Sequence, residues 1–193
     1  MARTGACLRR RAGQRKPLPA LLHFTDPIRT PDPEAIAARL PRGSAIVYRS
    51  FGAADAVAVA LRLRAIARRR GLTLLIGADE ALAARVGADG VHLPERLAHR
   101  AARIRARRPA WLITAAAHGA RAARAPVDAV VVSAIFPSGS ASAGKPLGPI
   151  RLAQIVRLSR SPVYALGGVN AATAARLLAT GVVGIAGVEV FAS

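Results

Sequence analysis

The sequence predicts an α/β protein folded as a (β/α)8 TIM barrel, and three observations lead to this prediction. Eight short apolar segments alternate with helical ones along the 193-residue chain. The segments are apolar at successive positions, as is typical of parallel strands that are covered on both faces. No G-x-G-x-x-G motif follows the first segment, which disfavours an open dinucleotide-binding sheet. The usual closing helix after strand eight is expected to be missing, so that flank is left open or is covered by the tail or by a partner subunit.

The strands are predicted from the apolar runs in chain order. Their ranges are 21–26, 44–50, 72–78, 90–94, 111–118, 129–136, 162–169 and 184–191. The helices between them carry recognisable termini. Gly71 and Gly181 each follow a helical segment as C-terminal caps, and Asn170 is a suitable N-terminal cap. The predicted helices cover residues 31–40, 54–70, 79–86, 97–108, 149–159 and 170–180.

Composition favours one domain over residues 21–193, preceded by a basic, disordered tail over residues 1–20. The hydrophobic content of 52% is high enough for a packed core. Cys7 is the only cysteine, which excludes an intrachain disulfide and fits a reducing cytoplasm. No uncharged apolar run reaches the roughly 18 residues that span a bilayer. We therefore expect a cytoplasmic protein without a membrane segment.

The net charge of +19 raises the question of nucleic-acid binding. Much of this charge is in alanine-rich helical segments whose outer faces are solvated in any case. Aromatic residues make up only 4% of the chain, so stacking platforms for bases are scarce. Specific nucleic-acid binding is therefore not expected. A homo-oligomer is left open.

The loop after the sixth predicted strand has the composition of an anion site. Ser138, Gly139 and Ser140 offer hydroxyl and backbone N–H groups, and Lys145 adds a positive charge. The segment GSASAGKP resembles a P-loop, but Pro146 stands where a P-loop needs Ser or Thr to bind Mg²⁺. Nucleotide hydrolysis is thus excluded, while phosphate binding and a plain flexible loop both remain open.

Two glycines after the seventh predicted strand favour the phosphate interpretation. Gly167 and Gly168 allow backbone N–H groups to approach a ligand, just before the helix that Asn170 caps. The late strands of TIM barrels recurrently bind phosphate at this rim.

Three further polar residues lie at strand ends. His118 ends the fifth predicted strand beside small alanines, where a histidine can transfer protons near neutral pH. A satisfied surface histidine is the alternative. Asp89 precedes the fourth strand and is expected to accept backbone N–H bonds in a turn. His92, within that strand, is expected to be packed and hydrogen-bonded, facing the barrel mouth or the helical layer according to the register.

Four segments together resemble the thiamine phosphate synthase family, which includes the TenI thiazole tautomerases. They are LLIGADEALAARVGADGVHLPE, SAIFPSGS, ALGGVN and GIAGVEVF, and the resemblance extends from about Leu21 to the C-terminus. It implies a barrel fold. It also implies an enzyme that joins an aminopyrimidine pyrophosphate to a thiazole phosphate, using Mg²⁺ and releasing pyrophosphate.

On the pyrimidine side, the resemblance assigns Arg49 to pyrophosphate binding. Val47 and Phe51 stand where the family has Gln and Lys in its motif after strand two. The family's Asn-Asp pair after strand three falls on Gly77 and Ala78, and its second metal carboxylate falls on Leu97. A pyrophosphate-contacting serine of the family falls on Ala116, and the lysine after its hydroxyl loop falls on Ala141. The neighbouring Asp79 and Glu95 are therefore the expected Mg²⁺ ligands of a working synthase.

On the thiazole-phosphate side, more of the family pattern is present. Ser138, Gly139 and Ser140 match its hydroxyl loop, and Gly168 matches a phosphate-binding glycine. Val188 and Glu189 occupy the last phosphate-contact pair, where the family has a serine in place of Glu189. A carboxylate there repels phosphate unless it turns away or pairs with Lys145.

Three functions follow from these residues. The first is synthase activity with Arg49 on the pyrophosphate. The second is thiazole tautomerase activity without a metal, with His118 as acid and base, because His118 aligns with the histidine proposed for that role in tautomerases. The third is a non-catalytic barrel that binds a phosphorylated metabolite.

Overall fold

The computed structural model describes residues 18–139 and 144–189, and these residues contain a closed barrel of eight parallel strands. Each strand pairs with the next in chain order, and β8 pairs with β1. This confirms the predicted TIM barrel. The strands are β1 (Leu21–Phe24), β2 (Ala45–Tyr48), β3 (Thr73–Gly77), β4 (Gly90–Leu93), β5 (Leu112–Ala117), β6 (Ala129–Val132), β7 (Val163–Leu166) and β8 (Gly184–Gly187).

Helices connect the strands on the outside of the barrel. The described α-helices are α1 (Pro33–Arg39), α2 (Ala56–Arg70), α3 (Glu80–Arg85), α4 (Ala101–Arg107), α5 (Gly148–Leu158) and α6 (Ala171–Ala174). Short 3₁₀ turns cover Glu95–Arg100, Ala122–Arg124 and Ala175–Leu177. The connection between β5 and β6 contains one 3₁₀ turn and no α-helix, and no helix was predicted there from the sequence. The predicted absence of a helix after strand eight concerns residues 190–193, which lie outside the described residues.

Side chains from alternate strand positions form two apolar layers. One layer, represented by Ile46 and Val91, packs between the strands and the helices. The other, which includes Leu22 and Val131, fills the barrel interior. The two layers cover both faces of every strand, so successive side chains along a strand are buried on one face or the other. This is why the strand segments read as continuous apolar runs.

Residues that precede β1 close the barrel interior at the amino-terminal ends of the strands. Leu18 is buried among the interior side chains. The Tyr164 hydroxyl, also inside the barrel, donates to the Pro19 carbonyl at 2.5 Å. Residues 18–20 thus pack against the barrel, where the sequence had predicted the end of a disordered tail. The remainder of that tail, with Cys7, lies outside the described residues.

Asp89 and His92 have the roles that the sequence predicted. Asp89 accepts the Leu74 backbone N–H at 2.8 Å and pairs with Arg64 at 2.8 Å, which fixes the entry to β4. His92 is buried and points into the barrel. Its Nδ1 lies 3.0 Å from the Thr114 hydroxyl, and its ring meets Phe24 edge-on with centroids 4.9 Å apart.

The predicted strands extend too far at their carboxyl ends. Strand six was expected to reach residue 136, but β6 ends at Val132. Ile135 and Phe136 are buried in the loop that follows, so their apolar character reflects burial and not strand geometry. Strands seven and eight likewise end early, at Leu166 and Gly187. Several residues that follow these strand ends line the cavity described below, so the earlier strand ends shape the candidate site.

In the described part of the chain, no helix has the length and apolar character required to cross a membrane.

Burial of His92 predicts a pH-dependent stability. Burial, with a smaller contribution from Arg49, lowers the pKa of His92 to about 3. Below about pH 6.5 the His92 imidazole is protonated in the unfolded chain, but in the folded chain it stays neutral down to about pH 3. The free energy of unfolding therefore falls as the pH decreases through this window. The expected slope is about 1.4 kcal/mol per pH unit for one such histidine.

Urea denaturation between pH 7 and pH 5 tests this expectation. The His92→Gln variant should show a shallower dependence of the unfolding free energy on pH. Some slope should remain because burial also lowers the pKa of His23, to about 4. His99→Gln, which replaces an exposed histidine, is the control. An unchanged slope in His92→Gln would contradict the assignment.

Candidate functional site

A cavity of about 340 Å³ opens at the carboxyl ends of the strands, the rim at which TIM barrels place their active sites. It extends across the ends of five neighbouring strands, from β6 through β7, β8 and β1 to β2. Its volume is within the range of small-molecule sites. The lining residues that carry the argument are Arg29, Arg49, Ser138, Gly168, Val188 and Glu189.

One end of the cavity is formed by the loops after β1 and β2 and is cationic. Arg49 donates from Nε to the Thr25 carbonyl at 2.7 Å, and its guanidinium lies 5.7 Å from the Phe24 ring centroid and 5.1 Å from that of Phe51. These contacts hold the side chain in one orientation. Burial lowers the pKa of Arg49, but arginine remains charged in proteins. Arg29 lies at the same end of the cavity.

The other end is formed by the loops after β6 and β7 and is built largely from backbone. The Phe136 N–H donates to the Gly167 carbonyl at 3.0 Å, and the Ile135 N–H donates to the Leu166 carbonyl at 3.0 Å. These bonds join the two loops. The Thr173 hydroxyl donates to the Gly168 carbonyl at 2.9 Å and fixes the chain where it enters α6.

Gly168 is required by the close approach of these loops. It has a φ of +63°, and a Cβ built on it would overlap the Pro137 carbonyl oxygen and lie 2.7 Å from the Phe136 Cβ. A side chain at this position is therefore excluded by space and by backbone conformation. The cavity wall at Gly168 consists of bare backbone that a ligand can approach.

Most of the predicted substrate-binding residues meet in this one cavity. Ser138 and Gly139 line it on one side, and Val188 and Glu189 line it at the end of β8. Lys145 does not line it and, among the described residues, forms no ion pair with Glu189. The Glu189 side chain is exposed, so its carboxylate is partly solvated. Ser140 lies outside the described residues.

His118 stands on the opposite part of the rim, after β5, and does not line the cavity. Its Nδ1 lies 2.7 Å from Glu95 Oε2, and its backbone N–H donates to the same oxygen at 2.8 Å. The Glu95 carboxylate fixes the orientation of the imidazole ring through Nδ1 and does not contact Nε2. Both side chains are well exposed, with 63% of His118 and 42% of Glu95 accessible.

Asp79 and Glu95, the predicted metal ligands, are each engaged in other contacts. Asp79 Oδ1 accepts the Leu82 N–H at 2.8 Å and caps α3. Glu95 binds His118, as described above. Among residues 18–139 and 144–189, no three His, Cys, Asp or Glu side chains group in a way that could hold a metal ion. The described side chains therefore do not fit a resident Mg²⁺ site on their own.

Asp26 and Arg29 were not predicted from the sequence as site residues. Asp26 accepts hydrogen bonds from Arg29 and Arg49, and Arg29 lines the cavity. One signal for them was present, since the segment TDPIRT directly follows the first strand and the carboxyl ends of barrel strands carry functional residues. The pattern of apolar residues, however, does not predict that the turn from Asp26 to Thr30 directs Arg29 into the cavity.

Comparison with known proteins shows the family to which this chain belongs. The model of the family described as thiamine monophosphate synthase matches residues 23–191. The chain belongs to the thiamine monophosphate synthase family. The thiamine-phosphate synthase of Thiobacillus denitrificans is 36% identical to it over 165 residues, which cover 79% of this chain and 78% of that protein.

Two further comparisons extend this family assignment. A relative from Geobacter sulfurreducens is 34% identical over 133 residues, or 66% of this chain, and the match spans 62% of that relative's length. The structure of thiamine phosphate pyrophosphorylase from Pyrococcus furiosus superimposes with a TM-score of 0.72 at 25% identity, covering 88% of this chain and 85% of that chain.

Departures from the family motifs occur on both sides of the barrel. Gly77, Ala78, Leu97 and Ala116, which replace polar family residues, belong to β3, β4 and β5 or to the loops that follow them, and none lines the cavity. Other departures border the cavity, because Phe51 follows β2, whose loop forms one end of it, and Glu189 lines the cavity itself.

The constraint at Gly168 yields a test of the cavity. Gly168→Ala should weaken binding of inorganic phosphate by about tenfold or more, because the added Cβ forces the loops after β6 and β7 apart. Calorimetry measures the affinity, and thermal melting measures the stability of the variant. Gly119→Ala is the control, since a Cβ there meets no atom within 4 Å. Equal phosphate affinity in both variants would contradict a role for this wall.

Proposed function

We propose that this protein is a thiamine phosphate synthase. It would join an aminopyrimidine pyrophosphate to a thiazole phosphate and release pyrophosphate. The observation that carries the proposal is the single cavity with two unlike ends. Arg29 and Arg49 form one end, and the backbone around Gly167 and Gly168 forms the other. A reaction that joins two anionic substrates needs two such regions within one pocket.

Each end has a separate chemical task. The bond that breaks leaves its electron pair on pyrophosphate, and the guanidinium groups can stabilise that growing negative charge because they are already in place. The glycine end can hold the phosphate of the thiazole through backbone N–H groups, with Ser138 adding a hydroxyl. Fixing both substrates in one cavity lowers the entropic cost of their encounter.

An assay of pyrophosphate release with both substrates and Mg²⁺ tests the proposal. The wild-type protein should release pyrophosphate from the two substrates. Arg49→Gln should lower kcat/KM by about a hundredfold, since it removes a preorganised charge beside the leaving group. Arg39→Gln is the matched control because Arg39 is exposed in the last turn of α1 and does not line the cavity. Absence of turnover at high protein concentration would exclude synthase activity.

The Glu95–His118 contact supports thiazole tautomerase activity as a second candidate. A carboxylate on Nδ1 orients an imidazole so that Nε2 can take up and return a proton. This reading predicts isomerisation of a thiazole carboxylate phosphate that persists with chelator and is lost in His118→Ala. Glu95→Gln should reduce the rate by about tenfold or more. Isomerisation at the wild-type rate in His118→Ala would exclude the assignment, and phosphate binding with neither reaction would favour a non-catalytic barrel.

A further inference from the structure

The loop after β1 places a second arginine beside Arg49, and one carboxylate contacts both. Asp26 Oδ2 accepts from Nη2 of Arg29 at 3.2 Å and from Nη2 of Arg49 at 3.4 Å. The two guanidinium groups therefore lie within two hydrogen-bond lengths of each other. Two like charges repel at this separation, and the carboxylate of Asp26, which contacts both, offsets that repulsion.

The turn that carries Asp26 and Arg29 is internally bonded. Asp26 Oδ1 accepts the backbone N–H groups of Ile28 and Arg29 at 3.1 and 3.0 Å. The Thr30 hydroxyl accepts from the Asp26 N–H at 3.0 Å, and the Thr30 N–H donates to the Asp26 carbonyl at 2.8 Å. Arg29 is therefore presented by a fixed turn, and little ordering is required when an anion binds.

Asp26 remains ionised in this setting. Burial alone would raise its pKa, but hydrogen bonds from the Arg29 and Ile28 backbones and from the Arg29 side chain outweigh burial and hold the pKa below its ordinary value. At neutral pH the cluster therefore contains two positive charges and one negative charge. The surplus positive charge borders the cavity, since Arg29 and Arg49 both line it.

Donors remain on both arginines after these contacts. Each guanidinium has five N–H groups, and the bonds of Arg49 described above use Nε and Nη2, while those of Arg29 use Nη2. About a quarter of each side chain is exposed, 26% for Arg29 and 28% for Arg49. A phosphate oxygen in the cavity can accept from the remaining donors.

We propose that Arg29 is the second cation that binds the pyrophosphate group in this chain, and that Asp26 is the residue that positions Arg29 and Arg49 for it. This inference rests on the proposed function for the identity of the anion. The chain has Phe51 where the family motif has a lysine, so Arg49 lacks its expected basic neighbour. Arg29 supplies a positive charge to the same end of the cavity from the adjacent strand.

Calorimetric titration with inorganic pyrophosphate measures binding directly and therefore tests the inference without requiring turnover. Arg29→Gln should weaken binding by about tenfold or more, as expected for loss of a charged hydrogen-bond donor. Arg29→Lys should restore part of the affinity because it keeps the charge. Arg39→Gln makes the same change in net charge at an exposed site away from the cavity and should bind as the wild type does.

The positioning role of Asp26 is tested by a double-mutant cycle. Asp26→Asn should weaken pyrophosphate binding although it removes a negative charge, and Arg29→Gln should cost less affinity in the Asp26→Asn background than in the wild type. A general loss of structure would not produce this coupling, and the unfolding midpoint of each variant is measured alongside. Tighter binding in Asp26→Asn, or independent effects of the two changes, would overturn the positioning role.

The outcomes for Arg29 separate this inference from synthase activity. If Arg29→Gln binds pyrophosphate like Arg39→Gln, or if the wild type does not bind it, Arg29 is not a pyrophosphate ligand, whatever the turnover assay shows. If the wild type binds and Arg29→Gln does not, the subsite stands. It stands even when no turnover occurs, and the synthase proposal alone then fails.

Discussion

Closure of the parallel sheet is the constraint on which the rest of this structure depends. Because β8 pairs with β1 in the same direction as every other neighbouring pair, all eight carboxyl ends emerge on one rim. Residues far apart in sequence, such as Arg49 and Gly168, are brought to a common cavity by this closure and not by local structure. Closure also requires small residues where neighbouring strands approach closely. A Cβ at Gly90 would overlap the Leu112 carbonyl oxygen, and one at Gly184 would lie 2.5 Å from the Ala20 carbonyl oxygen.

The rim is chemically divided. The half formed by β6, β7, β8, β1 and β2 encloses the cavity, with guanidinium groups at one end and exposed backbone at the other. The remaining strands carry Asp79, Glu95 and His118, and the carboxylates there are already bonded to a helix terminus or to an imidazole. Family membership alone does not reveal this division. It appears only in the folded barrel, where the strand order brings each side chain to its place on the rim.

The interior beneath the cavity supports its cationic end. Phe24 contacts both the buried His92 ring and the Arg49 guanidinium, so it connects the packed interior with the cavity wall. His92 is kept neutral by burial and by the positive charge of Arg49. His92 therefore carries no positive charge beneath the cationic end at neutral pH.

Much of the fold was predictable because burial leaves a direct signal in sequence. Continuous apolar runs marked the strands, and Asp89 and His92 were assigned their roles from their positions at a strand end. The same signal misplaced the ends of β6 and β7, because Ile135, Phe136 and Val169 are buried in loops and look like strand residues. Apolarity reports burial, and it reports secondary structure only where burial follows a regular period.

By itself, the sequence determined the barrel, the family and several of the residues that line the cavity, since each depends on residue type in a recognisable local pattern. Tertiary structure decided which of those residues act together. It placed Ser138, Gly168 and Arg49 in one cavity, left His118 outside it, and brought Arg29 beside Arg49 through the carboxylate of Asp26. These outcomes depend on distances between segments 20 or more residues apart, and such distances are set by strand pairing and loop packing that no local pattern encodes.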